Sequence, residues 1–95
     1  MVCEVDLTAE GKHQGYLRVP HSVHRSAYGW IGVPIVSIRN GAGQVMLMSA
    51  GVHGDEYEGQ IALAALLREL QAKDLRGQLI LLPQANAPAA EAGTR

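Results

Sequence analysis

The chain has 95 residues, of which 47% are hydrophobic, and it carries a formal net charge of −1. This length allows one small domain, and the apolar content excludes a chain that is disordered by composition. Scattered charges and only four aromatic side chains, one Trp and three Tyr, exclude a basic, base-stacking surface for nucleic acid.

The cysteine content and the N-terminal residues predict where the protein resides. Cys3 is the single cysteine, so the sequence contains neither a disulfide framework nor a thiolate metal cluster, which favours a reducing cytosol. The first residues lack the basic start and apolar core of a signal peptide. No run approaches the roughly 20 apolar residues that cross a bilayer. We therefore expect a cytoplasmic protein without nucleic-acid or membrane partners.

The first forty residues predict short strands separated by polar segments. Apolar and polar residues alternate over 2–7, which predicts one strand, and 16–19 predicts a second. Residues 21–29 are polar and are predicted to be irregular. Residues 30–39 are rich in β-branched side chains and predict a strand, with Pro34 placing it near a sheet edge or at a bulge.

A turn signal follows this strand. Asn40-Gly41 is typical of a type I′ hairpin, so residues 44–49 are predicted to return antiparallel to the preceding strand. The returning strand is apolar at consecutive positions, which is typical of a strand covered on both faces.

The next segment predicts an amphipathic helix that leads to a last strand. Asp55 and Glu58 match an acidic capping box, which would start the helix at Glu56. Gln60 is predicted to lie on the face of the helix that meets water. The apolar face of this helix follows the helical repeat: Leu63, Leu66, Leu67 and Leu70. Residues 78–82 are fully apolar and complete a βαβ unit, which is expected to be parallel.

The fold class predicted from these elements is α/β, with an antiparallel hairpin and one βαβ unit. Two strands that are apolar on both faces need helices on both faces. The sequence offers one helix, since residues 86–95 predict a loop or at most a helical turn. The sequence therefore predicts the N-terminal piece of a larger α/β domain.

A histidine and a carboxylate stand at the junction between strand 44–49 and the helix. His53 and Glu56 are three residues apart, in a turn that small residues let fold tightly. Zinc prefers imidazole nitrogen and carboxylate oxygen at about 2.0–2.2 Å, and catalytic zinc sites use three protein ligands plus water. Sites in open α/β sheets lie beyond the carboxyl ends of the strands, where this turn falls.

Simpler interpretations of these residues stay open on spacing alone. Glu56 would be welcome in the first turn of a helix because of the helix dipole, and His53 could be a turn residue bonded to the backbone. His21 and His24 form another pair three apart, but the irregular stretch around them predicts solvated loop side chains. The spacing therefore indicates a metal site without requiring one.

The longer motif is more specific. Residues 51–59, Gly-Val-His-Gly-Asp-Glu-Tyr-Glu-Gly, resemble the metal-binding motif of the succinylglutamate desuccinylase/aspartoacylase family, a branch of the zinc carboxypeptidase superfamily. The similarity extends over 13–20, 33–36, 79–88 and 92–95, and thus over most of the chain. Within the family the sequence is most similar to the N-acetyl-diaminobutyrate deacetylases of ectoine breakdown.

The resemblance implies a complete site of which this chain holds a part. His53 and Glu56 would be two of three zinc ligands, and Arg95 would bind substrate. The third ligand, a histidine, and the glutamate general base would lie beyond residue 95. Residues 1–95 would then be the N-terminal portion of a single metallohydrolase domain, truncated before the remaining active-site residues.

The activity implied by the resemblance is zinc-dependent hydrolysis of the amide bond of small N-acyl amino acids, with the fragment inactive alone. Two alternatives remain beside it. One is a zinc carboxypeptidase that cuts peptides. The other is a non-catalytic α/β fragment that self-associates into a homo-oligomer through an exposed sheet edge.

Overall fold

The computed structural model describes the backbone of residues 1–23 and 26–95 and the side chains of residues 1–20 and 29–95. His24 and the side chain of His21 lie outside the described residues, and with them the predicted pair of solvated histidines. Within the described part, no helix is long and apolar enough to cross a bilayer.

The described residues form a mixed sheet with two α-helices. The strands, in chain order, are β1 (Val2–Cys3), β2 (Gly11–Val23), β3 (Ser26–Asn40), β4 (Val45–Ser49) and β5 (Gly77–Leu82). The helices are α1 (Tyr57–Glu69) and α2 (Ala87–Ala92), and a short 3₁₀ turn covers Ala72–Asp74. The strand order across the sheet is β1-β2-β3-β5-β4. The predicted α/β class is confirmed, and the structure adds a second helix to the one that was predicted.

The hairpin of β2 and β3 is longer than the sequence predicts. The two strands pair antiparallel from Gly11↔Arg39 to Val23↔Ser26, so the prediction of irregular backbone over 21–29 is wrong wherever the backbone is described. Cross-strand hydrogen bonds extend these residues despite their polar character. Pro34 lies in a part of β3 that β5 does not reach, because the β3–β5 pairing begins at Val36. The proline is therefore tolerated on a side of β3 without a strand partner.

The first strand is shorter than predicted, at Val2–Cys3 in place of 2–7. The Glu4 carboxylate ends it by turning to β2, where it accepts hydrogen bonds from Arg18 Nε at 2.8 Å and the Tyr16 amide at 3.0 Å. The Arg18 hydrogen bond and, less strongly, the Tyr16 amide hold the pKa of Glu4 below its usual range. Polar contacts therefore fix this end of the sheet, where an alternating pattern alone had predicted a longer strand.

The predicted pairing of residues 44–49 with the preceding strand is wrong. Strand β4 runs opposite to β3, as predicted, but β5 lies between them, antiparallel to β3 and parallel to β4. Asn40-Gly41 does begin a turn, with Gly41 at φ +70°, and the chain then crosses the end of β5. Strand β5 is therefore paired on both edges, and its Leu81 is fully buried.

The βαβ unit is confirmed. Strand β4 pairs parallel to β5 from Val45↔Gln78 to Ser49↔Leu82, with α1 between them in sequence. Leu63 of α1 packs on a buried cluster formed with Val36, Ile38 and Leu81. Lys12 caps the C-terminal end of α1, where its ammonium donates to the carbonyls of Leu67 and Leu70.

The start of α1 differs from the predicted capping box. The N-cap is Glu56, whose side chain makes no capping hydrogen bond, and the helix begins at Tyr57. Asp55 lies before the cap and is exposed. The carbonyl of His53 accepts the Glu56 amide at 3.2 Å, so a backbone turn replaces the predicted side-chain cap.

Strand β4 is exposed, in contrast to the predicted burial on both faces. Val45, Met46 and Leu47 are 62%, 59% and 61% exposed. A groove of about 520 Å³ runs beside them toward Leu70, and the far edge of β4 has no strand partner among the described residues. The apolar pattern therefore predicted the strand correctly, but its predicted burial on both faces is wrong for the described residues.

Candidate metal centre

The segment that follows β4 lies at the carboxyl ends of two parallel strands. The hydrogen-bonded ladder continues past both strands: Ala50 donates to Leu82 O at 2.9 Å, and Ala85 donates to Ala50 O at 2.8 Å. Gly51 adopts φ +72°, and a Cβ there would lie 3.0 Å from the Gln84 backbone. The segment can therefore fold closely against the β5–α2 loop only with glycine at this position. Its place in the sheet is the one expected for a site in an open α/β fold.

His53 is partly buried, and its two ring nitrogens have different surroundings. Nε2 lies 3.4 Å from Arg95 Nη2. Nδ1 is buried and has no hydrogen-bond partner among the described residues. The structure thus brings together two of the residues that the sequence singled out, His53 and Arg95.

The surroundings of His53 agree with a metal ligand. A guanidinium can only donate, so a hydrogen bond from Arg95 would require the proton to sit on Nδ1, where no acceptor from the described residues meets it. A buried donor without an acceptor costs about 1–3 kcal/mol. The other neutral tautomer leaves a lone pair on Nδ1, which a cation would satisfy, and Arg95 would then no longer donate to Nε2.

Glu56 follows at the N-cap of α1 with an exposed side chain. The backbone bond from its amide to His53 O keeps the two residues in one tight turn. Among the described residues, no three side chains of the His, Cys, Asp or Glu type come together as a metal site would need. Residues 1–95 thus supply an imidazole and a carboxylate, which are both common zinc ligands. The described part of the chain places no third ligand beside them.

Helix α2 covers the turn from the other side. Gly54 is buried against it, and a Cβ on Gly54 would overlap the carbonyl group of Ala89 and the amide nitrogen of Ala90. The α2 N-cap is Asn86, with a proline in the first turn, and Gly93 closes the C-terminus in the left-handed conformation. This helix had been predicted as a loop or a single turn. The Asn-Ala-Pro sequence is a helix-start signal that could have revealed it.

Two polar side chains at the turn were missed by sequence reasoning. Gln60, predicted to face water, is partly buried and donates to Glu56 O at 3.3 Å. Asn86 donates to Val52 O at 3.2 Å. The Asn86 contact has no signature in sequence spacing, because it depends on how α2 approaches the turn, whereas the Gln60 contact is local to the start of α1.

Comparison with known proteins gives consistent matches. The succinylglutamate desuccinylase/aspartoacylase catalytic domain matches residues 42–95. The N-alpha-acetyl-L-2,4-diaminobutyric acid deacetylase of Halomonas elongata is 42% identical over 91 residues, which are 96% of this chain and 27% of that protein.

Solved structures agree with these sequence matches. The succinylglutamate desuccinylase/aspartoacylase of Rhodobacter sphaeroides superposes with a TM-score of 0.91 at 42% identity, covering 99% of this chain and 29% of that one. The product-bound ectoine utilization protein EutE (DoeB) of Ruegeria pomeroyi gives the same TM-score and identity, covering 97% and 28%. This chain therefore spans less than a third of the length of these relatives.

Proposed function

Because this chain belongs to the succinylglutamate desuccinylase/aspartoacylase family, we propose that it forms the N-terminal portion of a zinc-dependent amide hydrolase domain. The proposed substrates are small N-acyl amino acids, such as the one named in the Halomonas elongata relative. The observation that carries the proposal is the buried Nδ1 of His53, which has no hydrogen-bond partner within the described part of the chain and lies one tight turn before the exposed carboxylate of Glu56.

In this proposal, His53 and Glu56 hold the zinc ion, and Arg95 binds substrate. When bound, zinc polarises the acyl carbonyl and lowers the pKa of its water toward about 7. Arg95 already lies beside His53, and its planar guanidinium can grip a carboxylate through two hydrogen bonds. The third ligand and the glutamate general base would come from sequence outside residues 1–95. Two ligands alone are expected to bind zinc only weakly.

A chimera tests this proposal. Residues 1–95 would replace the aligned segment of the Halomonas elongata deacetylase, with which they share 42% identity. We expect the chimera to bind one zinc ion and to hydrolyse N-acetyl-diaminobutyrate, because the missing groups are supplied by the relative. A panel of N-acyl amino acids and peptides, assayed by amine release, separates a deacylase from a carboxypeptidase. A folded chimera that binds no zinc and cleaves no amide would refute the proposal.

A cytoplasmic location is also proposed. Cys3 is a free thiol whose Sγ donates to Val5 O. A single reduced cysteine is typical of proteins in a reducing compartment.

A second candidate, a self-associating fragment, is favoured by the exposed apolar edge of β4. Pairing of this edge with that of a second copy would bury Val45 and Leu47 and satisfy free backbone groups. We expect residues 1–95 to sediment as oligomers and Met46→Lys to shift them toward monomer, since an edge lysine opposes strand pairing. Ile61→Lys, at a comparably exposed site on α1, is the control and should leave the oligomers unchanged. A monomeric parent chain at high concentration would contradict this candidate.

A further inference from the structure

Two side-chain amides bond to the backbone of the turn that carries His53 and Glu56. The carbonyl of Val52, before His53, accepts a hydrogen bond from Asn86 Nδ2 at 3.2 Å. The carbonyl of Gly54, after it, lies 3.5 Å from Gln60 Nε2. The Val52 carbonyl belongs to the peptide group that precedes His53, and the Glu56 carbonyl, a second acceptor for Gln60, belongs to the one that follows Glu56. The two side chains therefore constrain the backbone that directs the imidazole and the carboxylate.

Asn86 serves the turn and helix α2 at the same time. Its Oδ1 accepts the Ala89 amide at 3.4 Å as the α2 N-cap, and its backbone N–H donates to Gly51 O at 3.0 Å. One residue therefore ties the start of α2 to Gly51 through its backbone and to Val52 through its side chain. The amide is suited to this role because it offers an acceptor to one element and a donor to the other.

Gln60 makes the corresponding connection from α1. Its Nε2 also donates to Glu56 O at 3.3 Å, so the same side chain contacts the backbone at both ends of the segment from Gly54 to Glu56. Its Oε1 accepts from Gln84 Nε2 at 3.4 Å, which links it to the β5–α2 loop. Both Asn86 and Gln60 are thus used as donors toward the turn and as acceptors away from it.

We propose that Asn86 and Gln60 are positioning residues that hold the turn so that His53 and Glu56 face one divalent cation. Neither side chain contacts the imidazole or the carboxylate; each acts through the backbone. The inference rests on the proposed zinc site. Removing a residue that hydrogen-bonds to a metal ligand typically weakens metal binding by about 10- to 100-fold. Asn86 and Gln60 bond only to the backbone near the ligands, so we expect the lower end of that range.

The test replaces each amide by the carboxylate of the same shape. Asn86→Asp and Gln60→Glu keep the acceptor oxygen for Ala89 or Gln84 and lose the donor toward the turn. Zinc chloride is titrated into residues 1–95 while NMR follows the His53 imidazole signals. We expect each variant to bind zinc about tenfold more weakly than the parent chain. An added negative charge close to the site would by itself strengthen cation binding, so a loss of affinity cannot be a charge effect.

Gly93→Ala is the structural control. Gly93 has φ +67°, so alanine strains the end of α2 while leaving Asn86 and Gln60 in place. A positioning role predicts that Gly93→Ala lowers the unfolding midpoint without the tenfold loss of zinc affinity. Parent-like affinity in Asn86→Asp and Gln60→Glu, or an equal loss in Gly93→Ala, would overturn the inference and leave the zinc site intact. No His53 shift in the parent chain would likewise overturn the inference, while the zinc site itself is decided by the zinc content of the chimera.

Discussion

Replacing Gly54 by alanine is expected to destabilise the fold by about 3 kcal/mol, the upper end of the usual cost of overpacking. The added Cβ would overlap the carbonyl of Ala89 and the amide nitrogen of Ala90, both of which are backbone atoms of α2. Backbone cannot swing aside as a flexible side chain can, so α2 must move away from the turn. Gly54 is not among the glycines with positive φ, and space alone therefore causes the effect. Urea unfolding of residues 1–95 measures it.

Gly59→Ala is the matched control for this change. Gly59 lies in α1, where its Cβ would meet only the Ala50 side chain at 3.1 Å. Alanine also gains up to about 1 kcal/mol over glycine in a helix, which offsets the tight contact. We expect a change of less than about 1 kcal/mol. Equal unfolding midpoints for Gly54→Ala and Gly59→Ala would show that α2 does not pack on Gly54 as described.

Replacing His53 by glutamine is expected to abolish zinc binding in the chimera and to lower kcat/KM at least about 10³-fold, a loss of roughly 4 kcal/mol in transition-state stabilisation. Glutamine approximates the size of the imidazole but is a poor zinc ligand, so Glu56 remains the only ligand that residues 1–95 contribute. Metal content by mass spectrometry and amine release under substrate saturation separate loss of metal from loss of substrate affinity.

His13→Gln provides the comparison for that substitution. His13 is an exposed residue of β2, away from the site, and its Nε2 lies 2.8 Å from Glu10 O. The same chemical change there should leave both zinc content and kcat/KM within about twofold of the parent chimera. Stoichiometric zinc together with parent-like kcat/KM in the His53→Gln chimera would disprove the assignment of His53 as a ligand.

Patterns that span a few neighbouring residues predicted the central part of the fold. The leucine repeat identified α1, the apolar run at 78–82 identified β5, and their order gave the parallel βαβ unit. The same reasoning failed at the N-terminus, where the contacts of the Glu4 carboxylate end β1 early. It also failed at 21–29, where strand pairing outweighs local polarity wherever the backbone is described. It also failed for the acidic capping box, where a backbone bond to His53 O does the work expected of Asp55.

The candidate site was likewise predictable from the sequence only in part. His53 and Glu56 could be singled out because they share one turn, and their assignment as zinc ligands stays a proposal. The contacts of that turn with Asn86 and Arg95 join residues 34 and 42 positions apart, and no short-range pattern marks them. Single amide side chains have no periodicity to detect, so their partners emerge only from the way the elements pack.

The sequence by itself determined the α/β class, the helix between two parallel strands and the glycine-rich turn that carries the imidazole and the carboxylate. Those features follow from side-chain periodicity and steric freedom, which act over a few residues. Only the tertiary structure decided that β5 separates β3 from β4, that α2 covers Gly54, and that Asn86 and Gln60 hold the turn. Such choices depend on how much apolar surface each strand order buries and on where distant polar groups find partners, and both are properties of the packed chain as a whole.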